Sequence, residues 1–191
     1  MPRLDPIPPR EWPPEMRDAL AALVPPKPRH PLPERREDRP KGLNVLGTLA
    51  HHPQLTAAYH AFNGHVQFAT TLSQRQREMI VLRVAALRGC EYERAQHAVI
   101  AADVGMSPEE VERIARGPDA EGWSRVDAVL LRAVDELVAA ACISEPTWAE
   151  LRSGLDVRQV IDLIFTVGAY ETLAMFLNSA GVELDDDLRG A

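Results

Sequence analysis

Apolar positions in this chain recur at steps of three and four from Leu43 almost to its end, and nowhere at a sustained step of two. That period predicts amphipathic helices and no sheet, so the expected fold class is all-α, a helical bundle. Leu43 to His51 reads as a short helix halted near Pro53. Pro53 to Thr70 follows, with Leu55, Tyr59, Phe62 and Val66 on one stripe. Ser73 with Gln76 three residues on has the form of a capping box and opens a helix to about Arg88. Gly89 separates it from a helix over Cys90 to Val104, which ends at Gly105. Ser107-Pro108-Glu109-Glu110 is a second strong start, with proline at the first helical position. Ser124 to Ala141 carries Val126, Leu130, Val134, Leu137 and Val138 at helical spacing. Ser144 caps a short helix through Arg152, and Asp156 opens the longest one, up to about Ala180.

The region before Leu43 breaks this pattern. Twelve of the chain's 16 prolines lie in its first 40 residues. Pro14 to Val24 can form a short helix, whereas Pro25 to Pro40 cannot supply regular backbone hydrogen bonds and is expected to be extended. The expected organisation is therefore a proline-rich arm with a short helix over residues 1–41, an all-α domain over 42–184 and an acidic tail over 185–191. Ile7, Trp12 and Leu32 give the arm apolar anchors suited to wrapping a neighbouring subunit, while Asp185 to Asp187 reads as a solvated run.

Composition narrows the function classes. At 191 residues, 46% hydrophobic and 26% charged, the chain reads as one soluble globular domain plus an extension. A net charge of −7, with no basic stripe interleaved with aromatics, argues against a nucleic-acid partner. Two cysteines are too few for a secreted disulfide framework. The N-terminus has no apolar signal core, and the longest apolar runs, such as Ala128 to Leu131, fall short of a membrane span. A reducing cytoplasm is the expected compartment, and no membrane partner is expected.

The candidate chemistry lies in Glu78 to His97, EMIVLRVAALRGCEYERAQH. Cys90, Glu93 and His97 follow one another at steps of three and four, which on a helix sets them on one face within about 100°. That face continues into Ile100, Ala101 and Val104, so it is the buried one. Three protic groups facing an apolar interior are costly unless paired or useful. A thiolate stabilised by His97 would be a nucleophile or a peroxide-reactive sulfur. A Glu–His pair would instead shuttle a proton to and from a carbon acid. Burial would raise the carboxyl pKa of Glu78 or Glu93 into the range of a general acid or base. One Cys, one Glu and one His over two turns match no zinc spacing with a fourth ligand nearby, so no metal and no cofactor are expected. His65, Tyr170 and Asn178 are candidate substrate contacts. Tyr170 and Asn178 share a rough stripe with Thr166 on the last helix, where helix–helix hydrogen bonding explains them equally well. His51, His52 and His60 are weaker pocket candidates, and Tyr92 is expected to pack between helices.

The pattern E-x11-C-x2-E-x3-H, preceded by Arg75-x-Arg77-Glu78, resembles the carboxymuconolactone decarboxylase and alkylhydroperoxidase D-like family. The phrases LNVLGTLAHHP, AYHAFNGH, REMIVLRVAALRG, YERAQH and LIFTVGAYETLAMFLNSAGV are similar to a longer branch of it, over about Gly42 to Val182. The resemblance implies a compact all-α bundle that forms homo-oligomers, with the site near subunit contacts. Peroxidase-type members carry C-x-x-C, two sulfurs that cycle between dithiol and disulfide. Here the second position is Glu93, so a local disulfide is impossible, and the second half of a dithiol cycle is lost. Decarboxylase-type members use Glu and His as acid–base groups, and Glu78 and His97 stand at the matching positions. Three readings follow. One is acid–base chemistry on a small organic acid, lactone or enolisable carbonyl compound, through His97 with Glu93 and Glu78. The second is a single-cysteine hydroperoxidase, which predicts a Cys90 pKa below the ordinary value. The third is a non-catalytic oligomeric binding protein.

Overall fold

A computed structural model describes residues 2–32 and 39–189. Among these residues the chain forms nine α-helices and no strand. It divides into two compact units, one of residues 1–70 with 175–191, the other of residues 71–174.

In the first unit, α1 (Met16–Ala21) packs against α3 (Pro53–Gly64), with α2 (Leu43–Leu49) between them in sequence. Met16, Ala19 and Ala50 form its core, and Ile7, Trp12, Leu20 and Ala57 close around them. Two of the three expected arm anchors, Ile7 and Trp12, are thus used inside the chain. Trp12 Nε1 also donates to the Ile7 carbonyl at 2.7 Å. Leu32 is 40% exposed. Residues 33–38 of the proline-rich run lie outside the described residues.

The face that α3 buries is not the one its apolar spacing predicts. Leu55 and Phe62 are exposed, and Thr56, His60 and Asn63 face inward. The reason is backbone proximity. A Cβ at Gly64 would collide with the Leu23 carbonyl oxygen, so only the small, polar side of α3 admits that approach. Thr56 donates to the Leu49 carbonyl at 2.8 Å, and His60 Nδ1 lies 2.9 Å from the Ala19 carbonyl, so these two buried side chains are partnered by backbone. The expected helix to Thr70 also stops early, at Gly64, and a wider π-type turn covers His65–Ala69. The acidic run is not a free solvated tail. Asp185 is buried and accepts the Asn44 backbone N–H at 2.8 Å, Asp187 accepts that of Lys41 at 3.2 Å, and Leu188 is buried.

The second unit is built around α4 (Gln74–Arg88). Every residue from Arg77 to Ala85 in it is buried, as expected of a helix enclosed on all sides. It packs against α5 (Glu91–Asp103), α6 (Pro108–Arg116) and α7 (Arg125–Ala140), and α8 (Glu145–Gly154) packs on α7. The capping box of Ser73 and Gln76 starts α4 with both reciprocal hydrogen bonds in place. Ion pairs tie the helices side by side: Arg75 bridges Glu110 and Asp127, and Arg83 grips Asp135 through two hydrogen bonds of 2.6 and 2.8 Å. The longest helix, α9 (Val157–Ala180), belongs to this unit through Ala174. By length and composition alone α9 suffices to cross a membrane, unlike the shorter apolar runs singled out in the sequence. Half of its most apolar stretch is buried within the protein.

Candidate active site

Glu78 sits in the first half of α4 and His97 in the middle of α5, and the turn between the two helices brings them together. Gly89 ends α4 with φ +57°, a conformation that favours glycine, and a Cβ there would meet nothing within 4 Å. The requirement at 89 is therefore for backbone freedom rather than for space. Cys90 is the N-cap of α5, with φ −88° and ψ 90°, not the first residue of its helical face as its spacing predicts. Folded back in this way, the hairpin sets His97 Nδ1 2.7 Å from Glu78 Oε2. The other carboxylate oxygen, Oε1, accepts from Arg77 Nε at 2.8 Å and Nη2 at 2.6 Å. The side chains of Arg77, Glu78 and His97 are 6%, 0% and 11% exposed.

Burial alone would push the Glu78 carboxyl upward, but His97 and then Arg77 more than offset it and hold the group below the usual carboxylate range. An ionised Glu78 accepting from His97 fixes the imidazole with its proton on Nδ1, leaving Nε2 as the basic nitrogen. The Tyr170 ring of α9 meets the His97 ring edge-on, with centroids 5.0 Å apart at 86°. Arg77 is the functional residue that spacing did not single out. The signal was present: an arginine next to Glu78 and followed by the unbroken apolar run Met79–Leu82, which covers every face of its helix, must bury its charge against a partner. Arg77→Met is expected to leave Glu78 as a buried charge short of its cation and to cost about 3–5 kcal/mol, measured as a lower urea midpoint at unchanged m.

Glu93 lies one helical turn before His97 on α5 and is only 2% exposed. No N–H or O–H reaches either of its carboxylate oxygens, and the Cys90 thiol, a weak donor, is the group set against it. Burial first, with the charge of Glu171 adding to it, pushes the Glu93 carboxyl up to about 8, so it is largely protonated at neutral pH. Cys90 is 2% exposed, and burial together with the neighbouring Glu93 pushes its thiol up to about 12. This corrects the direction expected of a reactive thiolate. The backbone N–H groups of Tyr92 and Glu93 do lower it, but His97 is committed to Glu78, and burial wins.

Of the expected substrate contacts, Tyr170 belongs to this cluster, whereas His65 and Asn178 are exposed residues of the first unit. Thr166 is buried and donates to the Asp162 carbonyl of its own helix at 2.6 Å. His51 Nε2 lies against the Asp5 carbonyl, and His52 caps α3. No group of three or more metal-ligating side chains converges among the described residues. An open pocket of about 440 Å³ in the first unit is lined by Asn44, Thr48 and the Asp185–Asp187 turn. Within it Arg189 pairs with Glu183 and Asp186.

Residues 53–136 match the model of the carboxymuconolactone decarboxylase family, and that segment holds Glu78, Cys90, Glu93 and His97. The family assignment is carried by that segment. No curated protein matches the chain. Among solved structures, it is similar to the alkylhydroperoxidase AhpD core of an uncharacterized peroxidase-related protein from Ralstonia eutropha JMP134. The two are 22% identical with a TM-score of 0.69, over 85% of this chain and 95% of that one. An uncharacterized peroxidase-related protein from Silicibacter sp. TM1040 gives 21% identity and a TM-score of 0.70, over 76% and 78%. The debrominase Bmp8 gives 12% identity and a TM-score of 0.75, over 97% and 94%. At these identities the likeness is one of fold.

Proposed function

We propose that this chain is an enzyme of the family that moves protons on a small enolisable carbonyl compound, organic acid or lactone, with no thiol redox cycle. The observation that supports this reading is Glu93: a buried carboxyl with no N–H or O–H partner, one turn from a histidine whose free nitrogen is Nε2. Residues four apart on a helix stand about 5–6 Å apart, a distance at which two groups can attend to one small molecule. His97 Nε2 takes a proton from the carbon beside the substrate carbonyl. Glu93, held protonated by its burial, gives its proton to the carbonyl oxygen. The imidazolium then gives its proton to another carbon of the enol while Glu93 takes back the proton on its oxygen. Where the enol instead arises by loss of carbon dioxide, the carbon takes a proton supplied by solvent through His97, so that both side chains return to their starting states. Glu78 and Arg77 keep the imidazole in the required tautomer, and Tyr170 walls one edge of its ring.

The reading is tested by proton NMR in D2O with a panel of small β-keto acids, lactones and enolisable ketones. Protein-dependent exchange of the α-hydrogen is expected for at least one compound, and Cys90→Ser is expected to retain it. Thiol counting gives a parallel check. At pH 8 the native protein should show one fast thiol, the exposed Cys142, and the second only in denaturant. Loss of activity in Cys90→Ser, with peroxide consumed by the unmodified protein, would return the assignment to a hydroperoxidase.

A further inference from the structure

The site holds two buried carboxyls on packed helices, and only one of them has a cation. Glu78 accepts from the neighbouring Arg77 through two N–H groups, whereas neither oxygen of Glu93 meets an N–H or O–H. A second arginine, Arg88, ends α4 one residue before the Gly89 turn and five before Glu93. It does not serve Glu93. Its Nε and Nη2 donate to the two carboxylate oxygens of Glu171 on α9, at 2.5 and 2.6 Å, and Nη2 also donates to the Val138 carbonyl of α7 at 3.0 Å. Glu171 follows Tyr170, whose ring meets that of His97. Two consecutive residues of α9 are thus fastened to the two arms of the α4–α5 hairpin, one to His97 and one to Arg88. Glu93 lies between those points along the hairpin. The charge of Glu171 reaches it, adding to burial in pushing the Glu93 carboxyl up.

We propose that Glu171 is a positioning residue: by holding Arg88 in a two-point ion pair it withholds that cation from Glu93 and so keeps Glu93 in its protonated form. The inference rests on the acid–base reading of Glu93 given above. Its physical basis is a competition between two acceptors for one guanidinium, whose fork matches a single carboxylate. The Glu171 side chain is 19% exposed and Glu93 only 2%, so an ion pair formed on Glu171 costs less desolvation than one formed on Glu93. Deprived of the arginine, Glu93 avoids a bare buried charge by keeping its proton. The other charged and titratable groups around α5 are engaged elsewhere. Cys90, at the start of the helix, is held neutral by burial, and His97 is bound to Glu78. Arg77 and Glu78 of α4 pair with each other, and Glu112 of α6 pairs with the exposed Arg94.

Glu93 can be followed directly by its infrared carboxyl band, identified by its loss in Glu93→Gln, over a pH series of the full chain. In the unmodified protein the band should titrate near 8. Glu171→Gln leaves Arg88 as an unbalanced positive charge at the site, so the band, and the loss of α-hydrogen exchange at high pH, should both move down by about one pH unit or more. Arg88→Gln leaves Glu171 unbalanced instead and should move both up. The double variant Arg88→Gln/Glu171→Gln removes both charges and should return close to the unmodified value. Circular dichroism is expected to stay unchanged throughout, because both side chains reach solvent. A pair that serves only to join helices would give neither opposite shifts nor rescue. An unmoved titration in either single variant, two shifts of the same sign, or a double variant that follows one of the singles would overturn the proposal. Band shifts of the expected signs in a protein without exchange activity would uphold the withholding of Arg88 and remove the acid–base reading instead.

Discussion

Replacing His97 by alanine is expected to lower α-hydrogen exchange, and turnover with it, by on the order of 10²–10⁴, the usual contribution of a positioned general base. The loss should fall mainly on kcat, because Nε2 engages the hydrogen that is leaving rather than the body of the substrate. Glu78→Gln should be nearly as harmful by a different route. An amide at 78 cannot balance Arg77, and it can present its NH2 rather than its oxygen to Nδ1, which moves the imidazole proton to the catalytic nitrogen. The NMR exchange rates of the two variants, compared over a pH series, separate these effects. A His97→Ala variant with unaltered exchange would remove histidine from the mechanism.

The second expected result concerns pH. Because Glu93 must hold its proton to act as the acid, kcat/KM should fall as the pH rises through about 8. Glu93→Gln should abolish that alkaline limb and lower the rate. Stability moves with the same group. Glu93 folds with its pKa above the ordinary 4.5, so between about 4.5 and 8 the folded chain binds more protons than the unfolded one. Its burial therefore costs stability that grows as the pH rises through that window, up to a few kcal/mol in order of magnitude. Glu78 acts in the opposite sense: held below 4.5, its contribution is in place above that pH and is lost as the pH falls through its folded value. Thermal melts should therefore show Glu93→Gln more stable than the wild type at pH 8.5 and little different at pH 5. A group that destabilises the fold where it is ionised, and has no partner of its own, is the pattern of a residue retained for chemistry.

Periodicity and caps sufficed for the all-α class, because a helix start such as Ser73–Gln76 or Ser107–Glu110 is closed by hydrogen bonds within four residues. The facing of Glu93 and His97 was legible for the same reason, being a property of one helix. Contacts across elements were not. Apolar spacing placed Leu55 and Phe62 inward on α3, but the close approach of the Leu23 backbone selected the opposite face. Of the candidate contacts His65, Tyr170 and Asn178, Tyr170 meets the His97 ring, a contact between two helices that spacing along either one does not reveal.

The helical class, the hairpin around Gly89 and the identity of the four protic groups could all be read along the chain, since interactions between near neighbours set them. Their protonation could not. Folding enclosed Arg77, Glu78 and His97 as one hydrogen-bonded set, left the Glu93 carboxyl without an N–H or O–H donor, and buried Cys90 beside it. Proton affinity depends on solvent, charge and hydrogen bonds in three dimensions, and none of these is a function of spacing along the chain.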